Sequence, residues 1–466
     1  MKGRGTPGRG GRPPARGDRR RDDRPAGGRR PVEARRRVAP APPAPLPAAP
    51  PPGARLAGVD VAVVRIEKLV AGGEGLGRID GVPLFVARSA PGDLLEVRLT
   101  ERHPDYGRAE IVKLLEPGPG RRPDPVPELS RAGICDLQHL DDALQTRLKA
   151  VAVCETLERL GGLRLPENLK VVAGDPWHYR LRTQLHTEID PVGGGVRVGY
   201  HARGTNEVLP VSRCPLLVPE LEAVLADLPG VLSGIEGGPP PKRIDVAAGD
   251  PGGGISVAPV IPGLPSGEVT LTVGDLLYGY DARTFFQGHR GLLLRLVEAV
   301  VGSWEGEEAY DLFAGVGLFA LPLARRYRRV VAVEADTNAC RYARNNARRN
   351  RISHLEVVGQ AVESWLAALP VGVDRVVADP PRAGLVSKVR RALLEKRPKR
   401  LTYVSCHPAA LARDLRFLTA AYEMESVALF DLFPQTGHME VVVQLTWRGP
   451  AEPAERSDAP ALSNPD

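Results

Sequence analysis

The chain has 466 residues and a formal charge of +7, with 26% charged and 42% hydrophobic residues, an ordinary balance for a folded protein of about two or three domains at roughly 150 residues each. No apolar run approaches the roughly 18 residues of a membrane span, and the N-terminus lacks the apolar core of a secretory signal. Five cysteines (135, 154, 214, 340, 406) are odd in number and scattered, which fits reduced thiols in a cytoplasmic protein better than a disulfide framework.

The charge is unevenly placed. Residues 1–37 hold fourteen Lys or Arg against four acids, a surplus of +10, so the rest of the chain sums to −3. Arginine and glycine dominate this stretch, as in Arg9-Gly10-Gly11-Arg12 and Gly27-Gly28-Arg29-Arg30. It has too little apolar surface to offset the entropy of ordering. Such runs bind nucleic-acid backbones by charge and stack on bases, or simply keep a protein in solution. Eight prolines in residues 40–52 favour an extended spacer. A disordered tail is therefore expected over 1–55 and a second one over 449–466.

Residues 56–117 alternate short β-rich runs with turns: Val61–Ile66, Leu84–Val86, Leu94–Leu99 and Ala109–Val112, with Asp80-Gly81 and Pro91-Gly92-Asp93 as turns. This spacing predicts a small β-barrel of the OB-like kind. Gly72-Gly73-Glu74-Gly75-Leu76-Gly77-Arg78 followed by Pro91-Gly92-Asp93 resembles the TRAM domain, which implies RNA binding.

Residues 118–280 read as an α+β insertion domain. A helical pattern covers Leu137–Leu160, β-like runs cover Arg180–Ile189, Gly195–Tyr200 and Val269–Val273, and the glycines at 193–195 suggest a hairpin tip. From 281 to 448 strands alternate with helices: helices over Phe286–Val301, Leu318–Tyr327 and Asn338–Asn350, strands over Ala309–Phe313, Val330–Val333, Leu355–Val358, Arg375–Ala378 and Leu401–Val404. That alternation predicts an α/β, Rossmann-like domain with a mostly parallel sheet, whose ligands gather at the carboxyl ends of the strands.

Asp311–Gly317 carries Gly315 and Gly317 in a glycine turn after the first of these strands, and Glu334 ends the second. Such a turn lets backbone approach a ligand, and the acid can accept from ribose hydroxyls, but nicotinamide enzymes share both features. Asp379-Pro380-Pro381-Arg382 closes the fourth strand and resembles the motif of S-adenosylmethionine-dependent methyltransferases. Asp379 could also cap a helix that starts at Pro380.

Cys406 leaves a strand in Ser405-Cys406-His407-Pro408, and Glu440 precedes another in Gly437-His438-Met439-Glu440. A thiol can add to C6 of a pyrimidine, making C5 electron-rich, and a carboxylate can then remove the C5 proton. With Phe285-Phe286-Gln287, Asp311–Gly317, Asp379–Gly384 and Phe433–Glu440 in this order, the chain resembles the RNA uracil-C5 methyltransferase family over residues 56–446. That resemblance implies a class I methyltransferase domain and an RNA substrate, either rRNA or tRNA. It implies Cys406 as nucleophile and Glu440 as base. Gln287, Phe313, Gly315, Gly317, Glu334 and Asp379 would bind S-adenosylmethionine, and Arg382 would position the RNA or its target base. His407 and His438 are expected to be structural, Cys340 to pack in a core, and no obligate protein partner is implied.

The pattern also breaks. Many relatives carry four cysteines for an iron–sulfur cluster. Only Cys135, in Ile134-Cys135-Asp136-Leu137-Gln138-His139, and Cys214, in Arg213-Cys214-Pro215, match them here. Two thiolates fall short of the usual four, so neither a cluster nor another metal is expected. An RNA cytosine-C5 methyltransferase is the alternative enzyme, though it calls for a further cysteine where Arg382 stands. A non-catalytic RNA-binding protein is the alternative of another class.

Overall fold

The computed structural model of the protein describes residues 56, 58–165, 169–235 and 238–449; the tails expected over 1–55 and from 450 onward lie outside the described residues. The first region contains β1 (Val61–Arg65), β2 (Lys68–Leu69), β3 (Gly75–Ile79), β4 (Val82–Val86), β5 (Leu94–Arg102) and β6 (Gly107–Glu116), in the order β1-β5-β6-β4-β3-β2. Because β1 and β2 are halves of one bent segment, the two ends of that order meet and the sheet closes into a small barrel. Its strands alternate, so Leu84, Val86, Leu95 and Val97 fill the interior. Asp93 in the second turn is fully buried; its carboxylate accepts from Ala90 N at 2.7 Å and Gly118 N at 2.8 Å and pairs with Arg121.

The chain continues through α1 (Pro127–Arg131), α2 (Asp142–Gly161) and β7 (Lys170–Ala173). Next come β8 (Arg182–Ile189), β9 (Val196–His201), β10 (Val208–Pro210), α3 (Pro219–Ser233), β11 (Arg243–Ala248) and β12 (Ile255–Ala258), then the hairpin β13 (Val269–Val273) and β14 (Leu276–Tyr280). An antiparallel sheet β10-β9-β8-β11-β12 forms the body of this insertion, and the turn between β8 and β9 carries the three glycines.

The last region is α4 (Leu293–Val301), β15 (Gly306–Leu312), α5 (Ala320–Leu323), β16 (Tyr327–Glu334), α6 (Thr337–Arg349) and β17 (Leu355–Gly359). It ends with α7 (Val362–Trp365), β18 (Arg375–Ala378), α8 (Ser387–Lys396), β19 (Arg400–Ser405), α9 (Pro408–Leu418), β20 (Tyr422–Asp431) and β21 (Glu440–Trp447). The sheet runs β17-β16-β15-β18-β19-β21-β20-β7. Its first five strands are parallel, and β21 is antiparallel to both neighbours. Both faces are covered: Val330 and Ala332 of β16 enter one apolar core, Val331 and Val333 the other.

Three expectations shift. The helix expected over Leu318–Tyr327 is a single turn, because β16 takes up Tyr327–Arg329 by pairing with Gly306 and Glu308. The helix expected from Phe286 starts at Leu293. The third shift moves a boundary. α2 and β7 fall within 118–280 by sequence, yet β7 pairs with β20 at the edge of the large sheet. Leu157 of α2 joins the same core as Leu411 and Leu415 of α9. The apolar face of α2 finds its partner in the last region, and strand pairing across that distance leaves no local trace in sequence.

Candidate active site

Four motifs meet at the carboxyl ends of β15, β16, β18 and β19. The crossover β15-β18 at the centre of the sheet opens the crevice that this topology offers to a ligand. After β15 the chain turns through Phe313 and Gly315, both in the left-handed region at φ +64° and +52°, with open space where a Cβ of Gly315 would point. Glu334 closes the turn from the next strand: its carboxylate accepts from Gly315 N and from Asp336 N, each at 2.8 Å. Each oxygen keeps a second acceptor site for a ligand. Asn346 of α6 supports the turn from below, donating to Val316 O at 3.0 Å. Gly317 is buried behind it.

Gln287 and Asp379 face each other, with Gln287 Nε2 donating to Asp379 Oδ2 at 3.3 Å. No helix starts at Pro380; the next one, α8, is capped at Val386. The helix-cap reading of Asp379 is thereby removed. Burial raises Asp379 to about 7, against the opposing hydrogen bond from Gln287, although part of its surface stays open. Asp311, quoted in the motif but given no role by sequence, is fully buried and both its carboxylate oxygens lack a hydrogen-bond partner. Burial, reinforced by Asp379, pushes its pKa well up. Its signal was available: an acid set between Ala309-Tyr310 and Leu312-Phe313, at the apolar end of a strand.

Cys406 and Glu440 stand opposite each other. Antiparallel pairing of Ser405 with Val441 puts the residue after β19 across from the first residue of β21. Glu440 is buried, and burial together with Asp379 pushes its pKa well up. Cys406 is partly exposed; burial first, then Glu440 and Asp379, raise it to about 11 against the opposing charge of Arg382. The thiol precedes the amino end of α9, whose dipole also favours thiolate. His407 caps that helix, its Nδ1 accepting from Ala410 N at 3.2 Å. Cys340 is buried in α6, its Sγ donating to Glu334 O at 3.3 Å.

Cys406 opens into a groove of about 320 Å³, within the range of small-ligand sites, roughly 300–1,000 Å³. Its walls include Gly72 and Arg108 of the barrel, Lys149 of α2, the exposed Arg382, and His438. All the sequence-derived site residues except Phe313, Gly315, Gly317 and Glu334 thus gather around Asp379 and the groove. Those four form the adjoining glycine turn.

Residues 268–448 match the family model described as tRNA (Uracil-5-)-methyltransferase, and residues 60–112 match the TRAM domain. The 23S rRNA (uracil(1939)-C(5))-methyltransferase RlmD of Cronobacter sakazakii is 32% identical over 418 residues, covering 82% of this chain and 95% of that protein. The chain belongs to the RNA uracil-C5 methyltransferase family. It is an S-adenosylmethionine-dependent RNA methyltransferase. RlmD of Pectobacterium atrosepticum is 30% identical, covering 81% of this chain and 92% of its own. The tRNA (uracil-54, C5)-methyltransferase of Pyrococcus abyssi, solved with S-adenosyl-L-homocysteine, has the same fold, with a TM-score of 0.63 at 23% identity over 83% of this chain and 100% of that one.

The crevice fits a polar, cationic methyl donor. Buried oxygens of Asp311 and Gln287 are left without partners at these strand ends, and the space beside Gly315 is open. Cys135 and Cys214 share an apolar core with Leu129 and Ala132, and Tyr200 donates its hydroxyl to Cys214 Sγ at 3.6 Å. Burial raises both thiols, the direction that disfavours metal ligation. Among the described residues no cluster of three or more His, Cys, Asp or Glu side chains could hold a metal ion, and no helix is long and apolar enough to cross a membrane.

Proposed function

We propose that this enzyme methylates C5 of a uridine in large-subunit rRNA through a transient bond between Cys406 Sγ and C6 of the ring, in the cytoplasm. The rRNA assignment is supported by the RlmD relatives, which match over four-fifths of the chain. The observation that carries the chemistry is the opposition of Cys406 and Glu440 across neighbouring strands, with Cys406 at a groove walled by Arg382 and the barrel.

In this reading Gln287, Phe313, Gly315, Gly317, Glu334 and Asp379 hold S-adenosylmethionine, which supplies an electrophilic methyl carbon on a sulfonium sulfur. Cys406 loses its proton to solvent through the groove, helped by Arg382 and the end of α9. Its thiolate adds to C6, the C5=C6 π pair moves toward O4, and C5 becomes nucleophilic. Once C5 carries the methyl group, Glu440 removes the remaining C5 proton. The C–H pair restores C5=C6 and expels the thiolate. Arg382 also faces the groove, where it can hold the phosphate or the base edge of the flipped nucleotide.

The test uses labelled methyl donor with separated rRNA and tRNA, followed by mapping of the product nucleoside. Label in tRNA alone overturns the rRNA assignment. RNA bearing 5-fluorouridine has no removable C5 proton and should trap a covalent adduct with the wild type and none with Cys406→Ala. Equal trapping by both removes Cys406 from the mechanism.

A further inference from the structure

The connection between β20 and β21, residues 432–439, leads directly into Glu440, and groups from outside both strands hold it. The carbonyl of Phe433 accepts from Lys149 Nζ at 3.1 Å, that of Pro434 from the Tyr179 hydroxyl at 3.0 Å, and that of Thr436 from Lys149 Nζ again at 3.1 Å. Leu137 N donates to Gln435 O at 3.0 Å. Gln435 N donates to Gln145 Oε1 at 2.9 Å, and the Gln435 side chain donates to Asp142 at 2.8 Å. A buried segment without a ladder of its own must find partners elsewhere, and this one finds them mainly on α2. The same bonds hold Gln435 at φ +66°, a conformation that side chains other than glycine's rarely adopt.

Lys149 is the centre of this arrangement. It is 2% exposed, and its third ammonium proton goes to Asp431, at 2.5 Å and equally buried. Thr146 donates to the other oxygen of Asp431 at 2.9 Å. Burial pulls the Lys149 pKa down and Asp431 holds it up. A buried ion pair is a poor device for stability, since apolar residues of the same volume usually do as well. This one also binds two carbonyls of the loop before Glu440, and Lys149 lines the groove that contains Cys406.

We infer that Lys149 is a positioning residue for removal of the C5 proton: by gripping Asp431, Phe433 and Thr436 it fixes the loop so that the Glu440 carboxylate stays opposite Cys406. This rests on the reading of Glu440 as the base. A purely structural ion pair would change stability and leave turnover per folded molecule intact.

The decisive variant is Lys149→Met combined with Asp431→Leu, which replaces the pair by apolar volume and leaves no lone buried charge. Thermal melting, S-adenosylhomocysteine titration, steady-state kinetics on substrate RNA and gel detection of protein–RNA adducts are measured together. The variant should fold, bind S-adenosylhomocysteine as the wild type does, and keep its RNA KM within about threefold. Its kcat should fall on the order of 100-fold, the penalty for a misplaced catalytic group, while methylated covalent adduct accumulates. Asp431→Asn leaves amine N–H groups for both carbonyls and should keep most of kcat. Should the double variant not fold, Lys149→Arg carries the test, because a planar guanidinium cannot reproduce the three-way geometry; the same fall in kcat is expected. Wild-type kcat in a folded variant overturns the inference, and so does a defect confined to KM. Normal turnover by Glu440→Gln would instead remove the base assignment itself, whatever Lys149 does.

Discussion

Gly73 of the barrel and Gly437 of the β20–β21 loop meet backbone to backbone: a Cβ on Gly73 would stand 2.8 Å from Gly437 Cα, and one on Gly437 would stand 2.6 Å from Gly73 N. Neither position has room for a side chain, and the backbone on each side cannot swing away. The barrel is thereby seated three residues from Glu440, and its Gly72 and Arg108 become walls of the groove that holds Cys406.

Gly437→Ala should therefore act on RNA more than on the methyl donor. Overpacking costs about 1–3 kcal/mol, and pushing the barrel off its seat would widen the groove. The expected result is an RNA KM raised on the order of tenfold, with an unchanged Kd for S-adenosylhomocysteine, from steady-state kinetics and calorimetry. An unchanged RNA KM would show that barrel seating does not shape the RNA site.

Glu440→Gln separates addition from release. The amide keeps the size of a side chain that is 2% exposed and removes the proton acceptor of the proposed mechanism. Attachment and methyl transfer should proceed, whereas product release should slow about 10²–10⁴-fold, the usual contribution of a general base. Quenched time courses on denaturing gels should show methylated protein–RNA adduct building up and decaying slowly. Fast decay would refute the base role.

Arg382 lowers the Cys406 pKa, while burial, Glu440 and Asp379 hold it at about 11. Arg382→Met should move the thiol further up, so less thiolate is present at any pH below that value. Adduct formation with 5-fluorouridine RNA at saturating RNA should slow several-fold, by the same factor from pH 7.5 to about 9.5, because the wild-type and variant thiols both titrate above that range. A loss that disappears at saturating RNA would assign Arg382 to RNA contact alone.

The parts of the site legible in sequence are those whose chemistry sits in contiguous motifs at strand ends: the glycine turn, Glu334, Asp379, Cys406 and Glu440. The approach of the first four follows from a parallel sheet, which the alternation of strands and helices already implied, whereas Glu440 arrives through the antiparallel pairing of β21 with β19. The clamp on α2 was not legible. Gln145 and Lys149 lie on the helix face that also buries Ala152 and Val153, so they read as interruptions of an apolar stripe, and their partners are almost 300 positions away. The same distance concealed β7 as a strand of the large sheet. Asp311 was visible as an acid at the apolar end of a strand, but the two unpartnered oxygens that mark it are a property of the fold.

Asp379 ties the site to stability. Its carboxyl is raised from 3.8 to about 7, mainly by burial, so between those values the folded protein holds a proton that the unfolded chain has lost. Stability contributed by that proton is complete below pH 4, falls as pH rises through the window, and stays lost above pH 7. At about 1.4 kcal/mol per unit the upper limit is about 4 kcal/mol, and solvent screening at the open part of Asp379 lowers it to about 2 kcal/mol. Asp379→Asn removes this titration and relieves Asp311 and Glu440, whose acidities Asp379 opposes. The variant should melt a few degrees above wild type at pH 8, match it at pH 4.5, and lose binding of S-adenosylhomocysteine. A melting difference that does not change with pH would show that Asp379 is ionised in the free enzyme throughout, and that the crevice carries its negative charge before the methyl donor arrives.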